Sequence, residues 1–178
     1  MKDDIISITY WKSPLGELIL GVYDEMICVC DWRYRKSREA IDFRIKHILG
    51  AQYVVKADPV ASKTITQLQE YFSGDRKEFD IPMAFVGSEF QTSVWNALLQ
   101  VDYGKTESYL NLSKRLGNEK AIRAVASANG ANAISILVPC HRIIGSDGKL
   151  TGYAGGISVK KKLLELEGAA IQQQLDLF

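Results

Sequence analysis

The chain contains 178 residues, 47% of them hydrophobic and 24% charged, and its formal net charge is +1. These proportions are typical of a soluble globular protein, and the net charge alone predicts no acidic partner. The sequence has no run of 18 apolar residues, which excludes a membrane-spanning helix, and its first residues lack the apolar core of a secretion signal. Three cysteines are too few for a disulfide scaffold. We therefore expect a cytoplasmic protein, or a nuclear one in a eukaryote.

The first third of the chain predicts an antiparallel meander. Apolar and polar residues alternate from Ile6 to Tyr10 and again from Leu18 to Val22, and a third strand is expected from Met26 to Trp32. The turn signals between them are Ser13–Gly16 and Asp24–Glu25.

Helical spacing follows the predicted strands. One helix is expected from Glu39 to Leu49, stopped by Gly50, and another from about Ser62 to Phe72. The segment from Asp75 to Gly87 is the best candidate for a linker, because charge, proline and glycine interrupt every periodicity there.

The second half begins with a clear helix start, since Ser88 is a suitable N-cap and Gln91 stands three residues later. Two short helices at 109–116 and 120–128, separated by Gly117–Asn118, resemble a helix-turn-helix, although a plain helical hairpin fits the same pattern. A last helix is expected from Ser158 to Glu167.

Charge and residue size distinguish this second half. Residues 105–168 contain ten Lys or Arg and five Asp or Glu, a net charge of +5, whereas residues 1–104 carry −3. Such a surface suits phosphate binding, although solvated lysines give the same count. The 120–128 helix is rich in alanine, which would let its backbone approach another surface closely. Arg123 within it is suited to a narrow groove of negative potential. Helix propensity alone also favours alanine.

The most informative motif is Val138-Pro139-Cys140-His141-Arg142, which follows the apolar run 134–137, expected to be a buried strand. A thiol is a weak nucleophile until it is deprotonated, and a nearby imidazole is the usual activator. Neighbouring side chains of a strand point to opposite faces, so the two groups can cooperate only if the backbone leaves strand geometry, which Pro139 favours. The alternative is an inert buried cysteine beside a surface histidine.

These residues and their spacing resemble the O6-alkylguanine-DNA alkyltransferases. The specific part of the resemblance runs from about residue 90 to 168 and includes Gly152-Tyr153-Ala154-Gly155-Gly156 at the family's distance from the Cys-His motif. A weaker part extends to residues 13–16 and 71–74.

The resemblance implies an α+β protein with three segments. Residues 1–81 would form a support domain with an antiparallel sheet and helices, ribonuclease H-like in the family. Residues 82–169 would form a helical, winged-helix-like domain with a helix-turn-helix, which binds DNA and carries the active-site cysteine. Residues 170–178 would be a flexible tail.

The implied function is repair of O6-alkylguanine, and also of O4-methylthymine, in duplex DNA. The protein would bind the minor groove as a monomer without a cofactor and would flip the damaged base out of the duplex. The alkyl group would then pass irreversibly to Cys140, which His141 activates through a water while Glu167 orients the imidazole.

The remaining roles implied by the resemblance concern substrate and DNA. Asn132 would brace the turn, Tyr109 would protonate or stabilise the departing guanine, and Arg123 would fill the gap left by the flipped nucleotide. Backbone groups of Cys140 and Ile143 would read the base. The other expected contacts to DNA or to the base involve Ala124, Ser127, Tyr153, Ala154 and Lys160. Ala133 and Ser135 replace prolines of some relatives, so the resemblance does not define the width of the pocket or the size of alkyl group that it accepts.

Some members of the family bind a structural zinc, and here its only candidate ligands are Cys28, Cys30 and His47. The two cysteines are expected to lie on one face of a strand, in the core, and the histidine on a helix. Four well-spaced ligands are lacking, so the sequence predicts no metal site.

Two other classes of function remain alternatives. A Cys-His-Glu hydrolase would use the same residues for turnover, but it would leave the basic half and Arg123 without a purpose. A non-catalytic, damage-recognising DNA-binding protein would not need Cys140.

Overall fold

The computed structural model describes residues 4–172 and has the α+β architecture that the sequence predicts. Its main sheet has the strand order β3-β2-β1-β4. The strands are β1 (Ile5–Ser13), β2 (Gly16–Tyr23), β3 (Met26–Trp32) and β4 (Gln52–Val55). The meander of β1, β2 and β3 is antiparallel, as predicted.

The fourth strand was missed, and the sheet is mixed rather than purely antiparallel. Strand β4 pairs in parallel with β1, with Ile5 opposite Gln52 and Ile8 opposite Val55. It has only four residues, and both Val54 and Val55 are exposed. Because it lacks the alternation of a half-buried strand, no periodic signal marked it.

The expectation that Cys28 and Cys30 share one face is wrong. The register of β2 and β3 shifts between Gly21 and Val22, which is a bulge. Cys28 and Val29 therefore pack together in one core cluster, while Cys30 packs in the other. Both cysteines are buried, as expected.

Six α-helices follow the predicted order. They are α1 (Arg38–Leu49), α2 (Pro59–Phe72), α3 (Glu89–Leu98), α4 (Tyr109–Arg115), α5 (Ile122–Gly130) and α6 (Ile157–Leu166). Helix α3 has the predicted capping box between Ser88 and Gln91. Helix α2 begins three residues before Ser62, because Asp58 caps it and Pro59 occupies its first turn.

The candidate linker from Asp75 to Gly87 has no regular helix or strand, yet it packs closely against the sheet. The Ile27 amide donates to the Pro82 carbonyl, and the Ala84 amide donates to the Ile27 carbonyl. Ile81 and Val86 are buried. This segment therefore runs beside β3 and fixes the second half of the chain against the sheet.

One continuous apolar core joins the two halves. It contains one face of the sheet, α2, and buried residues of α3, α5 and α6, such as Leu20, Leu68, Leu98, Val125 and Leu163. A second, smaller cluster lies between α1 and the opposite face of the sheet.

The predicted helix-turn-helix is formed by α4 and α5, which are joined by Gly117, with a φ of 79°, and Asn118. Asn118 caps a short 3₁₀ turn (Glu119–Ala121), so α5 begins two residues later than predicted and extends to Gly130. Among residues 4–172, no helix is long and apolar enough to cross a membrane, and no His, Cys, Asp and Glu side chains cluster as metal ligands would.

The run from Ile134 to Leu137 is buried, but it is a tight turn and not a strand. Ile136 has a φ of 71°, and Ser135 and Val138 form an isolated bridge across the turn. The side chain of Asn132 holds this conformation, because its Oδ1 accepts from the Ile134 amide and its Nδ2 donates to the Val138 carbonyl. Apolar composition signalled burial here, while the local hydrogen bonds decided the backbone.

Candidate active site

A cavity of about 260 Å³ opens beside Cys140. Its walls come from the connection between β3 and α1 (residues 35–37), from α5 (residues 126, 129 and 130), from residues 152–154 and from Tyr109. The two halves of the chain therefore build the cavity together.

Cys140 and His141 lie in a 3₁₀ turn (Cys140–Arg142) that directly follows Pro139. The backbone thus leaves extended geometry at the proline, as the motif requires. The chain continues beyond the turn as the short strand β6 (Ile143–Ile144), which pairs in parallel with β5 (Glu107–Ser108). The turn is buried, with Cys140 3% and His141 0% exposed.

Glu167 is the centre of a buried hydrogen-bond network. His141 Nε2 lies 2.7 Å from Glu167 Oε1, and Arg142 contacts both carboxylate oxygens, at 2.9 and 3.0 Å. The Tyr71 hydroxyl donates to the same carboxylate at 2.7 Å, and the Gly104 amide donates at 3.3 Å. Burial opposes ionisation, but the hydrogen bonds from His141 and Arg142 outweigh it and lower the pKa of Glu167 to about 2. Glu167 is therefore a permanent acceptor.

That carboxylate fixes the tautomer of His141. Because Glu167 can only accept, the proton must be on Nε2, and Nδ1 carries a free lone pair. Nδ1 is buried and has no partner among the described residues. Burial lowers the pKa of His141 although Glu167 raises it, so the ring is a neutral base at pH 7.

The thiol of Cys140 is protonated at rest. Burial raises its pKa, while the side chain of Asn132 and the ammonium of Lys160 act in the opposite direction. A buried thiol reacts slowly with unspecific electrophiles, so the reactive thiolate has to be formed when a substrate is present.

Lys160 lies behind the wall of the cavity. Its ammonium is buried and donates to the carbonyls of Ile143, Thr151 and Gly152. Burial lowers its pKa to about 8, although the negative charge of a Cys140 thiolate would raise it. By donating to all three carbonyls, the ammonium ties Ile143 to the 151–152 segment.

Tyr109 and Tyr153 both line the cavity. The Tyr109 hydroxyl donates to the Thr151 carbonyl at 3.2 Å, and the Tyr153 hydroxyl accepts from Trp32 Nε1 at 3.1 Å. Trp32 also packs so tightly on Gly155 that a Cβ there would lie 2.8 Å from its ring. The glycine of this motif is therefore needed for close approach of the 152–156 segment to the sheet.

The expected site residues thus fall into three groups. Cys140, Tyr109, Tyr153 and Ala154 line the cavity. Behind its wall are the buried residues His141, Glu167, Asn132, Lys160 and Ile143. On the exposed surface of α5, outside the cavity, are Arg123, Ala124 and Ser127.

Several residues at the site were not singled out from the sequence. Tyr71 and Trp32 contact Glu167 and Tyr153 from the first half of the chain. Arg35 lines the cavity and donates to the carbonyls of Gly130 and Asn132, while Asn129 lines it from α5. Arg142 stood within the Cys-His motif and Tyr71 within the weaker resemblance at residues 71–74, but neither was assigned a role. Trp32, Arg35 and Tyr71 lie 95 or more residues from their partners, and Asn129 lies in an alanine-rich helix, so no local signal marked their contacts.

Two protein-family models match the chain and together cover most of it. The model described as 6-O-methylguanine DNA methyltransferase, ribonuclease-like domain, matches residues 6–85. The model described as 6-O-methylguanine DNA methyltransferase, DNA binding domain, matches residues 89–169.

Individual proteins are similar over two thirds or more of the chain. A methylated-DNA–protein-cysteine methyltransferase of Methanosarcina acetivorans is 41% identical over 159 residues, which cover 89% of this chain and 96% of that protein. The protein of the same name from Mycobacterium tuberculosis is 50% identical over 122 residues, 68% of this chain and 74% of that one. A crystal structure described as Mycobacterium tuberculosis OGT in complex with DNA has a TM-score of 0.77 at 39% identity, with 92% of each chain covered.

Proposed function

Because this chain belongs to the 6-O-methylguanine DNA methyltransferase family, we propose that it removes the alkyl group from O6-alkylguanine in duplex DNA by irreversible transfer to Cys140. It is a methylated-DNA–protein-cysteine methyltransferase and a DNA repair protein. The single observation that carries the proposed chemistry is the buried His141–Glu167 pair directly behind Cys140, whose side chain lines the cavity.

The geometry supports a direct displacement. A water between His141 Nδ1 and the thiol would carry the thiol proton to the imidazole, and Glu167 would stabilise the imidazolium. The thiolate sulfur would then form a bond to the alkyl carbon while the carbon–O6 bond breaks and its electron pair stays on the guanine. Tyr109 would supply a proton to a ring nitrogen of the leaving base and regain one from the imidazolium through solvent. The products are guanine and an S-alkyl cysteine.

We propose that each molecule reacts once. A thioether has no good leaving group, and the described site offers no second nucleophile beside Cys140. The Lys160 ammonium, with its pKa lowered to about 8, lies behind the wall and would help to stabilise the thiolate while substrate is bound. The hydrogen bond of Asn132 to the Val138 carbonyl would keep the turn in place.

The exposed face of α5 is the proposed contact to DNA. Arg123, Ala124 and Ser127 are exposed on this face, and Ala126 of the same helix lines the cavity. Small side chains would let α5 approach the minor groove, and Arg123 would enter the stack in place of the flipped nucleotide. The related Mycobacterium tuberculosis structure in complex with DNA supports DNA as the partner.

The roles of the two domains follow from this arrangement. We propose residues 82–169 as the domain that binds DNA and accepts the alkyl group, and residues 1–81 as the domain that supports it. Tyr71, Trp32 and Arg35 make that support specific, since each contacts a residue of the site. Of the proposed tail, residues 173–178 lie outside the described part of the chain. A monomer suffices, because one chain supplies every residue of the cavity.

Intact mass of the protein tests the proposal. The protein is incubated with duplex DNA carrying one O6-methylguanine, and the Cys140→Ala variant serves as the control. We expect a stoichiometric gain of one methyl group on Cys140 and restored guanine in the DNA, with no change in the variant. A second oligonucleotide with O4-methylthymine defines the range of substrates.

Each other result of the mass experiment has a meaning. Repaired DNA with an unmodified protein would indicate true turnover and favour a hydrolase-like mechanism. Unmodified protein with unrepaired but tightly bound DNA would favour a damage-recognising DNA-binding protein. Either result would contradict the transfer to Cys140.

The proposed flipping role of Arg123 is tested by Arg123→Ala. The control is Arg76→Ala, because Arg76 belongs to the proposed support domain and pairs with Glu70. The loss of transfer rate should be larger on duplex DNA than on the free base O6-methylguanine. DNA affinity of the wild-type protein should also fall as salt rises, because phosphate contacts release counterions. Equal losses on both substrates would remove the flipping role from Arg123.

A further inference from the structure

Helix α5, which carries the proposed contacts to DNA, is fastened by side chains at its C-terminal end. Its N-cap residue, Ala121, makes no side-chain cap hydrogen bond. The last carbonyls of a helix have no partner within the helix and need donors from elsewhere. Here Trp95 Nε1 donates to the Ala128 carbonyl at 2.8 Å. Two arginines from the first half of the chain donate to the carbonyls of Gly130 and Ala131.

The two arginines differ in their other partners. The first is Arg35, which forms an ion pair with the buried Asp31. The second is Arg44 of α1, whose Nη2 donates to the Ala131 carbonyl at 2.9 Å and whose Nε donates to the Val86 carbonyl at 3.0 Å. Within residues 4–172, Arg44 forms no ion pair with a carboxylate. Its hydrogen bonds therefore go to backbone alone.

Packing does not explain a cation in the place of Arg44. Its guanidinium is partly buried and lies 5.3 Å from the centre of the Trp95 ring. Burial and the nearby charge of Arg35 lower the pKa of Arg44. Desolvating a charge without a counter-ion costs free energy, and an apolar side chain would avoid that cost. A guanidinium, however, can donate to two carbonyls at once, and its charge suits the negative end of the α5 dipole.

The position of this helix end matters for the proposed reaction. Asn129 and Gly130, in the last turn of α5, line the cavity. Arg123 is exposed nearer the other end, about 12 Å along the axis from Ala131 at about 1.5 Å per residue. Because a short helix moves as a rigid rod, a shift of its C-terminal end would displace Arg123 as well. A misplacement of about 1 Å can slow a reaction about 100-fold.

We propose that Arg44 is a positioning residue for base flipping. It fixes the C-terminal end of α5 against the first half of the chain, so that Arg123 stands where it can fill the gap in the duplex. This inference rests on the proposed function of the site. It gives the first half a role in handling DNA, although Arg44 itself contacts neither the cavity nor the exposed face of α5.

The test compares methyl transfer to Cys140 from duplex DNA carrying O6-methylguanine with transfer from the free base O6-methylguanine. Single-turnover rates are measured for wild type, Arg44→Met, Arg44→Lys, Arg123→Ala and the double variant of Arg44→Met with Arg123→Ala. Arg76→Met is the matched control, because Arg76 is another arginine of the first half and pairs with Glu70. The ratio of the two rates within each variant does not depend on the fraction of folded protein.

We expect Arg44→Met to lower the duplex-to-base rate ratio about tenfold, a loss typical of one hydrogen bond from a charged group. Arg44→Lys keeps the charge but cannot bridge both carbonyls, so its ratio should lie between those of wild type and Arg44→Met. In the Arg123→Ala background, Arg44→Met should change the ratio by less than about twofold, because the side chain that it positions is gone. Arg76→Met should keep the wild-type ratio.

The other outcomes are distinct. An unchanged ratio in Arg44→Met, with both rates lowered equally, would show that Arg44 only supports the fold and would overturn the proposal. Losses that multiply in the double variant would show that Arg44 acts independently of Arg123 and would overturn it too. No methyl transfer by wild type from either substrate would instead refute the proposed function.

Discussion

Two buried carboxylates, Asp31 and Glu167, gather donors from both halves of the chain. Asp31 is 0% exposed and accepts from Arg35, Arg38 and the Ser135 hydroxyl, at 3.0, 2.9 and 3.0 Å. Glu167 is 6% exposed and accepts from residues that include Tyr71, Arg142 and His141. Each carboxylate therefore links the two halves of the chain: Asp31 in the first half accepts from Ser135 in the second, and Glu167 in the second half accepts from Tyr71 in the first.

The difference lies in the partners and not in burial or charge. Every partner of Asp31 is a permanent donor, because arginine stays charged and a serine hydroxyl does not titrate near pH 7. The Asp31 cluster can therefore hold a shape but cannot move a proton. Glu167 binds an imidazole whose second nitrogen is free, so it can change the basicity of an atom that faces the reaction. A free nitrogen on a titratable partner thus distinguishes Glu167, the carboxylate that we propose assists catalysis, from Asp31.

The largest expected effect is on the transfer rate of Glu167→Gln. An amide carries no negative charge to stabilise the imidazolium and cannot accept from all of the donors. The rate of alkyl transfer should fall about 10²- to 10⁴-fold, the range of general-base catalysis. Rapid-quench measurement of transfer checks this. Glu165→Gln, exposed on α6, is the matched control and should react like wild type. A rate within twofold of wild type would contradict the catalytic role.

Asp31→Asn should lower the stability of the protein more than its transfer rate. Removing this charge leaves Arg35 without a carboxylate partner among residues 4–172, and it leaves Arg38 with only the half-buried Asp42. The free energy of unfolding should therefore fall by about 3–5 kcal/mol. The transfer rate per folded molecule should change less than in Glu167→Gln. Urea unfolding measures the stability, and the exposed Asp80→Asn should change it by less than about 0.5 kcal/mol. Full stability with lost activity in Asp31→Asn would contradict the assignment of Asp31 to structure rather than to the reaction.

The response to acid sharpens the comparison further. Folding lowers the pKa of Glu167 from 4.5 to about 2, so its carboxylate stabilises the folded state above pH 4.5. This contribution, about 3 kcal/mol, should be lost as the pH falls from 4.5 to 2. Unfolding by urea at several pH values should show this loss in wild type and a flatter dependence in Glu167→Gln. Equal slopes for the two proteins would show that other carboxylates cause the acid sensitivity.

The smallest effect is expected for Ser135→Ala. This change removes one donor from Asp31 and leaves the two arginines and the Trp32 amide in place. The free energy of unfolding should fall by about 2 kcal/mol, the value of a hydrogen bond to a charged group. Urea unfolding is again the measurement, with the exposed Ser62→Ala as the control. A loss of stability as large as that of Asp31→Asn would mean that Ser135, and not the two arginines, supplies most of the stabilisation by the Asp31 cluster.

The sequence alone determined much of this protein because many of its signals are local. Alternation predicted β1 to β3, capping and periodicity predicted the helices, and the proline predicted that the chain leaves extended geometry at Cys140. The spacing of Cys140, His141 and Glu167 also pointed to the family. A local signal depends only on a few neighbouring residues, so it can be read without knowing the fold.

Only the tertiary structure decided how distant residues serve the site. Strand β4 forms because β1 offers it an edge, and the bulge that separates Cys28 from Cys30 depends on pairing with β2. Likewise, Tyr71 reaches Glu167 across 96 positions, and Trp32 reaches Tyr153 across 121 positions. Hydrogen bonds between distant residues depend on where folding brings each atom, and a single sequence carries no separate signal for that.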